Sequence, residues 1–386
     1  MTFGGVDVFD IIQNRRILFG PGKLSELAGL LDFAREKTIL VMTYNENAQS
    51  VSDAIGTLRK AGMQTIVDAS ITSEPSTDDI DQIVSRCVNE QVGAVVAIGG
   101  GSVMDAAKAV AAILANGGKA EQYQMEGRPV EKPALPLVAV PTTSGTGSEA
   151  TKVSVVYNPQ NHLKKSFYSP SMIASAVILD PLLTVQLPKA VTVSTGVDAL
   201  SHAIESYVSK QATPLTEMYS LASMRLCVKS LENCVLHMDS LTDRGNMMLA
   251  SFFGGCALNA GIGLAHIIAQ PLGGLIKIPH GVACAIYLPY AMEHNVAFCV
   301  SKYCDIAKIF GVEGETGLEL AMRGIERVKM FLRQLDAPDS IVSFLPAGFD
   351  LDAAVEAVIG ATGHIKNDYN PVTREVIRSV IQQSIK

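Results

Sequence analysis

The chain changes rhythm part-way along, and that change limits its possible folds more than any other feature. Through the first half, short apolar runs alternate with helical patterns. R-I-L-F (16–19), K-T-I-L-V-M (37–42), Q-T-I-V-D (64–68), A-V-V-A-I (94–98) and L-V-A-V (137–140) read as strands. They are near-continuous in apolar residues, as parallel strands covered on both faces should be. Between them, 22–34, 49–62, 76–92 and 102–115 have helical periodicity. A βαβα order of this kind predicts a doubly wound parallel sheet. After about residue 185 helical patterns follow one another, at 188–208, 214–237, 241–260, 301–310, 315–335 and 371–385. Strand-like runs nearly vanish there. The expectation is an α/β domain over 1–183 and an all-α domain over 184–386, divided at L-D-P-L-L (179–183).

Composition narrows the function. With 386 residues, 48% hydrophobic and 18% charged, the chain has material for two substantial cores. Its net charge is −7 and no basic run stands out, which argues against a nucleic-acid partner. The N-terminus M-T-F-G-G-V-D-V-F-D lacks the basic and apolar regions of a secretory signal. Charges such as Asp105 and Lys108 interrupt the apolar stretches, so no membrane span is expected. Seven cysteines without a C-x-x-C pair fit reduced thiols in a cytoplasmic protein.

Two loops look suited to phosphate. In A-V-V-A-I-G-G-G-S-V-M-D-A-A-K (94–108) a strand runs through three glycines into a helix beginning near Ser102. Glycines admit a ligand close to the backbone, and free N–H groups at a helix start favour an anion. The pattern is not G-x-G-x-x-G, and alone it also fits a plain strand-to-helix turn. P-T-T-S-G-T-G-S-E (141–149) follows another buried strand with hydroxyls and glycines suited to pyrophosphate and ribose. Two such loops at one sheet edge point to a dinucleotide.

The helical half offers a different chemistry. D-A-L-S-H places Asp198 and His202 four residues apart, one turn apart on one helix face. His266 and His280 lie in G-L-A-H-I-I-A-Q-P-L-G-G-L-I-K-I-P-H-G, an otherwise apolar stretch. Each could separately be a capping or hydrogen-bonded core residue. Together, three imidazoles and a carboxylate make a mixed N/O set suited to Fe(II) or Zn(II).

These segments, in this order and spacing, resemble the iron-containing (group III) alcohol dehydrogenases across essentially the whole chain. G-G-G-S-V-M-D, P-T-T-S-G-T-G-S-E, G-V-D-A-L-S-H-A-I-E-S-Y (196–207) and I-P-H-G-V-A (278–283) carry the resemblance. It implies a Rossmann-like domain followed by a helical one, the dehydroquinate synthase-like architecture, with the active site in the cleft between them. It implies metal binding by Asp198, His202, His266 and His280. It also implies that Gly100, Gly101, Ser102, Asp105, Thr142, Thr143, Thr146 and Lys164 surround NAD or NADP. Family members are often dimers or larger, so a homo-oligomer is expected.

Two positions depart from the family pattern. Where the family has a second histidine one turn after His266, this chain has Gln270, which can hydrogen-bond but not titrate near neutrality. Gln270 therefore either holds a polar substrate group or leaves the proton to the ribose and water. Where NAD-preferring members have an acidic residue after the second strand, this chain has Thr43, which does not repel a 2′-phosphate. The expected reaction is hydride transfer between a small primary alcohol or aldehyde and the nicotinamide, with the metal, Fe(II) or Zn(II), as Lewis acid at His280. The alternatives are a zinc-type polyol oxidoreductase like glycerol dehydrogenase, and a non-catalytic sensor of nucleotide and metal.

Overall fold

The computed structural model describes residues 2–3, 6–361 and 365–386. The chain forms two compact units, Ile12–Gln186 and Met1–Ile11 with Leu187–Lys386. In the second of these, β1 (Thr2–Phe3) and β2 (Val6–Asp7) pair as a short antiparallel ribbon.

The sheet unit contains β3 (Arg16–Phe19), β4 (Thr38–Thr43), β5 (Gln64–Asp68), β6 (Val92–Gly99), β7 (Leu137–Pro141), β8 (Val153–Asn158), β9 (Leu163–Tyr168) and β10 (Ala176–Leu179). Six of them form one parallel sheet in the order β3-β10-β7-β6-β4-β5. Burial follows position in that sheet. From Gly93 to Gly99 β6 is wholly buried, whereas Ile17 and Phe19 on edge strand β3 are 46% and 44% exposed. The helices are α1 (Gln49–Lys60), α2 (Thr77–Cys87), α3 (Gly101–Asn116) and α4 (Ala120–Gln124). Chain order reverses between β4 and β6, where one strand leads outward to β5 and the other to β7. Loops leaving such a point diverge and open a crevice at the carboxyl ends of the strands.

Three features of this unit differ from the sequence expectation. Residues 22–34 form three short 3₁₀ turns, Lys23–Glu26, Ala28–Leu30 and Asp32–Ala34, instead of a helix. Leu24, Leu27 and Leu31 are buried as a helical spacing would bury them, but Gly22 and Gly29 disfavour a continuous α-helix. Neither β10, which sits between β3 and β7 in the parallel sheet, nor the separate β8–β9 ribbon was among the expected strands. The ribbon's first strand, V-S-V-V-Y-N, alternates between half-buried and buried residues, the period-2 pattern of a ribbon covered on one face.

The helical unit contains α5 (Lys189–Tyr207), α6 (Pro214–Leu236), α7 (Leu241–Ala257), α8 (Leu264–Ile276), α9 (His280–Asn295), α10 (Val300–Ile309), α11 (Leu318–Gln334), α12 (Leu351–Ala361) and α13 (Arg374–Gln383). Helix starts follow the local chemistry. Thr213 caps α6 by accepting from the Thr216 N–H, with Pro214 in the first turn where its missing N–H is harmless. A side chain on Gly281 would place its Cβ 2.0 Å from the Ser194 carbonyl oxygen, so glycine lets the start of α9 press against α5. One apolar core runs through the unit, with Leu200, Ile204, Ile268, Tyr287, Leu288 and Val328 fully buried. Burial of each such side chain contributes on the order of 1.5–3 kcal/mol.

Candidate metal centre and nucleotide loops

In the helical unit the four expected ligands converge. Asp198 and His202 stand one turn apart on α5, His266 lies in the first turn of α8, and His280 is the first residue of α9. Asp198 Oδ1 lies 3.3 Å from His266 Nε2, 3.6 Å from His280 Nε2 and 3.7 Å from His202 Nε2. In a tetrahedral site with bonds of about 2.0–2.1 Å, neighbouring donor atoms sit about 3.4 Å apart. The spacing and the N/O chemistry therefore fit a small divalent cation. The His202 and His266 rings stack at 4.4 Å. His280 is the exposed member, with 31% of its side chain accessible against 2–7% for the other three.

Two further residues complete this cluster. Glu205, seven residues after Asp198, continues the same face of α5; Oε2 pairs with His266 Nδ1 and Oε1 accepts from the Ala265 N–H at 2.7 Å. The bond at Nδ1 turns Nε2 of His266 toward Asp198, the usual device for fixing an imidazole. Cys284, one turn after His280 on α9, is fully buried with Sγ 3.7 Å from His280 Nε2. Neither appeared among the sequence candidates. The i+7 spacing could have marked Glu205, and the i+4 spacing from His280 could have marked Cys284.

The electrostatics are tightly coupled. Burial disfavours the Asp198 carboxylate, but His202, His266 and His280 more than reverse this and hold its pKa well below the usual range. Burial pushes the Cys284 thiol up to about 11. Gln270 lies one turn after His266 on α8 and is half-buried.

In the sheet unit, the two candidate loops leave adjacent strands. Gly99 and Pro141 are register partners, and the Thr142 N–H donates to the Gly99 carbonyl at 3.0 Å. Gly100 caps α3, while Gly101 and Ser102 open its first turn, where N–H groups have no intrahelical acceptor. A Cβ on Gly101 would lie 2.7 Å from Thr146 Cγ2, and one on Gly100 would lie 3.3 Å from Thr143 Oγ1. The glycines thus let the two loops touch. Thr43 ends β4 beside β6 and is fully buried.

Asp105 and Lys164 are engaged by their own protein. Asp105 Oδ1 accepts from Ser148 Oγ at 2.5 Å and Oδ2 from the Val155 N–H at 3.0 Å. The fully buried Lys108 donates to Ser148 Oγ at 2.6 Å, Thr151 Oγ1 at 2.9 Å and the Val153 carbonyl at 2.7 Å. This network ties α3 to the far end of the 141–149 loop. Lys164, on β9, pairs with Glu74.

Comparison with known proteins agrees with both halves. Residues 14–181 match the family described as iron-containing alcohol dehydrogenase. Residues 192–385 match the C-terminal region of the Fe-containing alcohol dehydrogenase family. The chain belongs to the iron-containing alcohol dehydrogenase family. Within that family it is 31% identical over 326 residues to the NAD-dependent methanol dehydrogenase of Bacillus methanolicus, covering 83% of this chain and 85% of the relative. It is 33% identical over 336 residues to the 1,3-propanediol dehydrogenase of Klebsiella pneumoniae, covering 84% and 86%. The solved alcohol dehydrogenase from Oenococcus oeni superposes with a TM-score of 0.93 at 29% identity, covering 98% of this chain and all of that one. Like its iron-containing alcohol dehydrogenase relatives, the chain is an oxidoreductase acting on CH–OH groups. Among the described residues no single helix is long and apolar enough to cross a membrane.

Proposed function

We propose that this enzyme interconverts small primary alcohols and aldehydes, with Asp198, His202, His266 and His280 holding a divalent cation, Fe(II) or Zn(II). The convergence of three Nε2 atoms on one Asp198 oxygen supports this reading above all others. The chemistry such a cation supplies is Lewis-acid stabilisation of charge developing on the substrate oxygen. Asp198 offsets part of the cation's charge, and Glu205 fixes the ring of His266 so that Nε2 stays directed inward. The exposed side of the cluster, at His280, is where substrate oxygen would enter.

The dinucleotide, NAD or NADP, supplies the hydride carrier. Gly100, Gly101 and Ser102 present backbone N–H groups at the start of α3 to its phosphates, and Thr142, Thr143 and Thr146 add hydroxyls. Asp105 and Lys108 brace that loop from beneath. Gln270 hydrogen-bonds without exchanging a proton, so ribose and water carry the proton away. We further infer a cytoplasmic, homo-oligomeric enzyme. Elemental analysis, activity after reloading with iron or zinc, and fluorescence of bound NADH and NADPH test these assignments together. Binding of nucleotide and metal with no turnover on any small aldehyde would favour a sensor instead.

A further inference from the structure

We propose that Cys284 is itself a ligand of the cation, giving this site a thiolate beside Asp198, His266 and His280. The inference rests on the metal-centre reading above and adds a donor to it. One donor atom from each of Asp198, His266, His280 and Cys284 lies within 4.8 Å of every other. With a metal–sulfur bond of about 2.3 Å and a metal–nitrogen bond of about 2.0–2.1 Å, a tetrahedral S–metal–N pair spans about 3.6 Å. The observed Cys284 Sγ to His280 Nε2 distance is 3.7 Å.

The surroundings separate Cys284 from a cysteine that merely fills space. Cys299 and Cys304 donate to the backbone carbonyls of Asn295 and Gly317. Cys284 instead directs its sulfur toward an imidazole, one turn from His280 and on the same face of α9. His202, stacked on His266, remains the fifth group around the same carboxylate.

A second anionic donor changes what the site holds. With Asp198 and a Cys284 thiolate, a divalent ion becomes formally neutral in its ligand shell. Thiolate also favours zinc and cobalt over harder ions such as magnesium or manganese. This chain should therefore retain zinc more strongly than a site of one carboxylate and three imidazoles.

Cobalt(II) loading of the full-length protein tests the assignment without reference to turnover. The wild type should bind one cobalt per chain and show a thiolate-to-cobalt charge-transfer band in the near ultraviolet. Cys284→Ser and Cys284→Ala should bind cobalt, keep its visible d–d bands and lose that band. Their zinc affinity, measured by chelator competition, should fall at least the roughly 10–100-fold that loss of an outer partner costs. Cobalt bound without the charge-transfer band in the wild type would overturn the role of Cys284 while leaving the metal centre intact. A band that persists in both variants would overturn it equally. A wild type that binds no cobalt, zinc or iron would overturn the metal centre and the thiolate together.

Discussion

The helical unit and the sheet unit solve the problem of holding a ligand in opposite ways. Around Asp198 the working parts are side-chain atoms, nearly all buried, and Glu205 sets the orientation of one of them, His266. At the ends of β6 and β7 the parts are backbone N–H groups exposed by missing side chains, and the polar side chains beneath them brace the loop. A cation requires fixed anionic and lone-pair donors, whereas a phosphate is satisfied by any well-placed N–H. One unit is therefore sensitive to which residue is present, the other to how close the backbone can come.

Substitution in each unit can break that contrast. The largest effect should come from His280→Ala, which should weaken metal binding and lower kcat/KM by about a thousandfold or more, several kcal/mol of charge stabilisation. Full activity in a metal-free variant would end the Lewis-acid account. Glu149, buried at the end of the 141–149 loop with Oε1 lacking a hydrogen-bond partner among the described residues, has its pKa raised by burial to about 7. The folded state then binds an extra proton between the unfolded and folded pKa values. Stability is full below the unfolded value of 4.5 and declines as pH rises to about 7. The loss is on the order of 3 kcal/mol. Urea unfolding at pH 5 and pH 8 should show this slope in the wild type and a flatter one in Glu149→Gln; equal slopes would refute the assignment.

A smaller effect is expected at the nucleotide loops. Gly101→Ala forces a Cβ against Thr146 and should cost about 1–3 kcal/mol of NADH affinity by fluorescence titration, with metal content unchanged. Loss of metal instead would show that the two sites cannot be perturbed separately. The smallest change is Gln270→His, which introduces a titrating group one turn from His266. The pH–rate profile should gain a limb near neutrality, and an unaltered profile would mean that protons never use this position.

The contrast also explains what could be seen in the chain beforehand. The four ligands were legible because Asp198 and His202 share a helix face by local spacing, and because His266 and His280, on helices further along, fall in segments that match the family in order and spacing. Glu205 escaped notice because a lone carboxylate in A-I-E-S-Y looks like a solvated charge until α8 is laid against it. Cys284 reads as a small apolar residue for the same reason. In the sheet unit five of the six parallel strands were legible from their apolar runs; the four-residue β10 and the reversal of order between β4 and β6 were not, since both depend on long-range pairing. The fates of Asp105 and Lys164 were hidden too. Their partners, Ser148, Val155 and Glu74, are 43, 50 and 90 residues distant.

Gly281 has a consequence for how such an enzyme could be altered. The distance between the two helices that supply Asp198 and His280 is fixed where one backbone rests on another, at a place with no side chain to trim. Enlarging residue 281 would push the two helices apart and widen the bite of the chelate itself, from a position that carries no ligand atom.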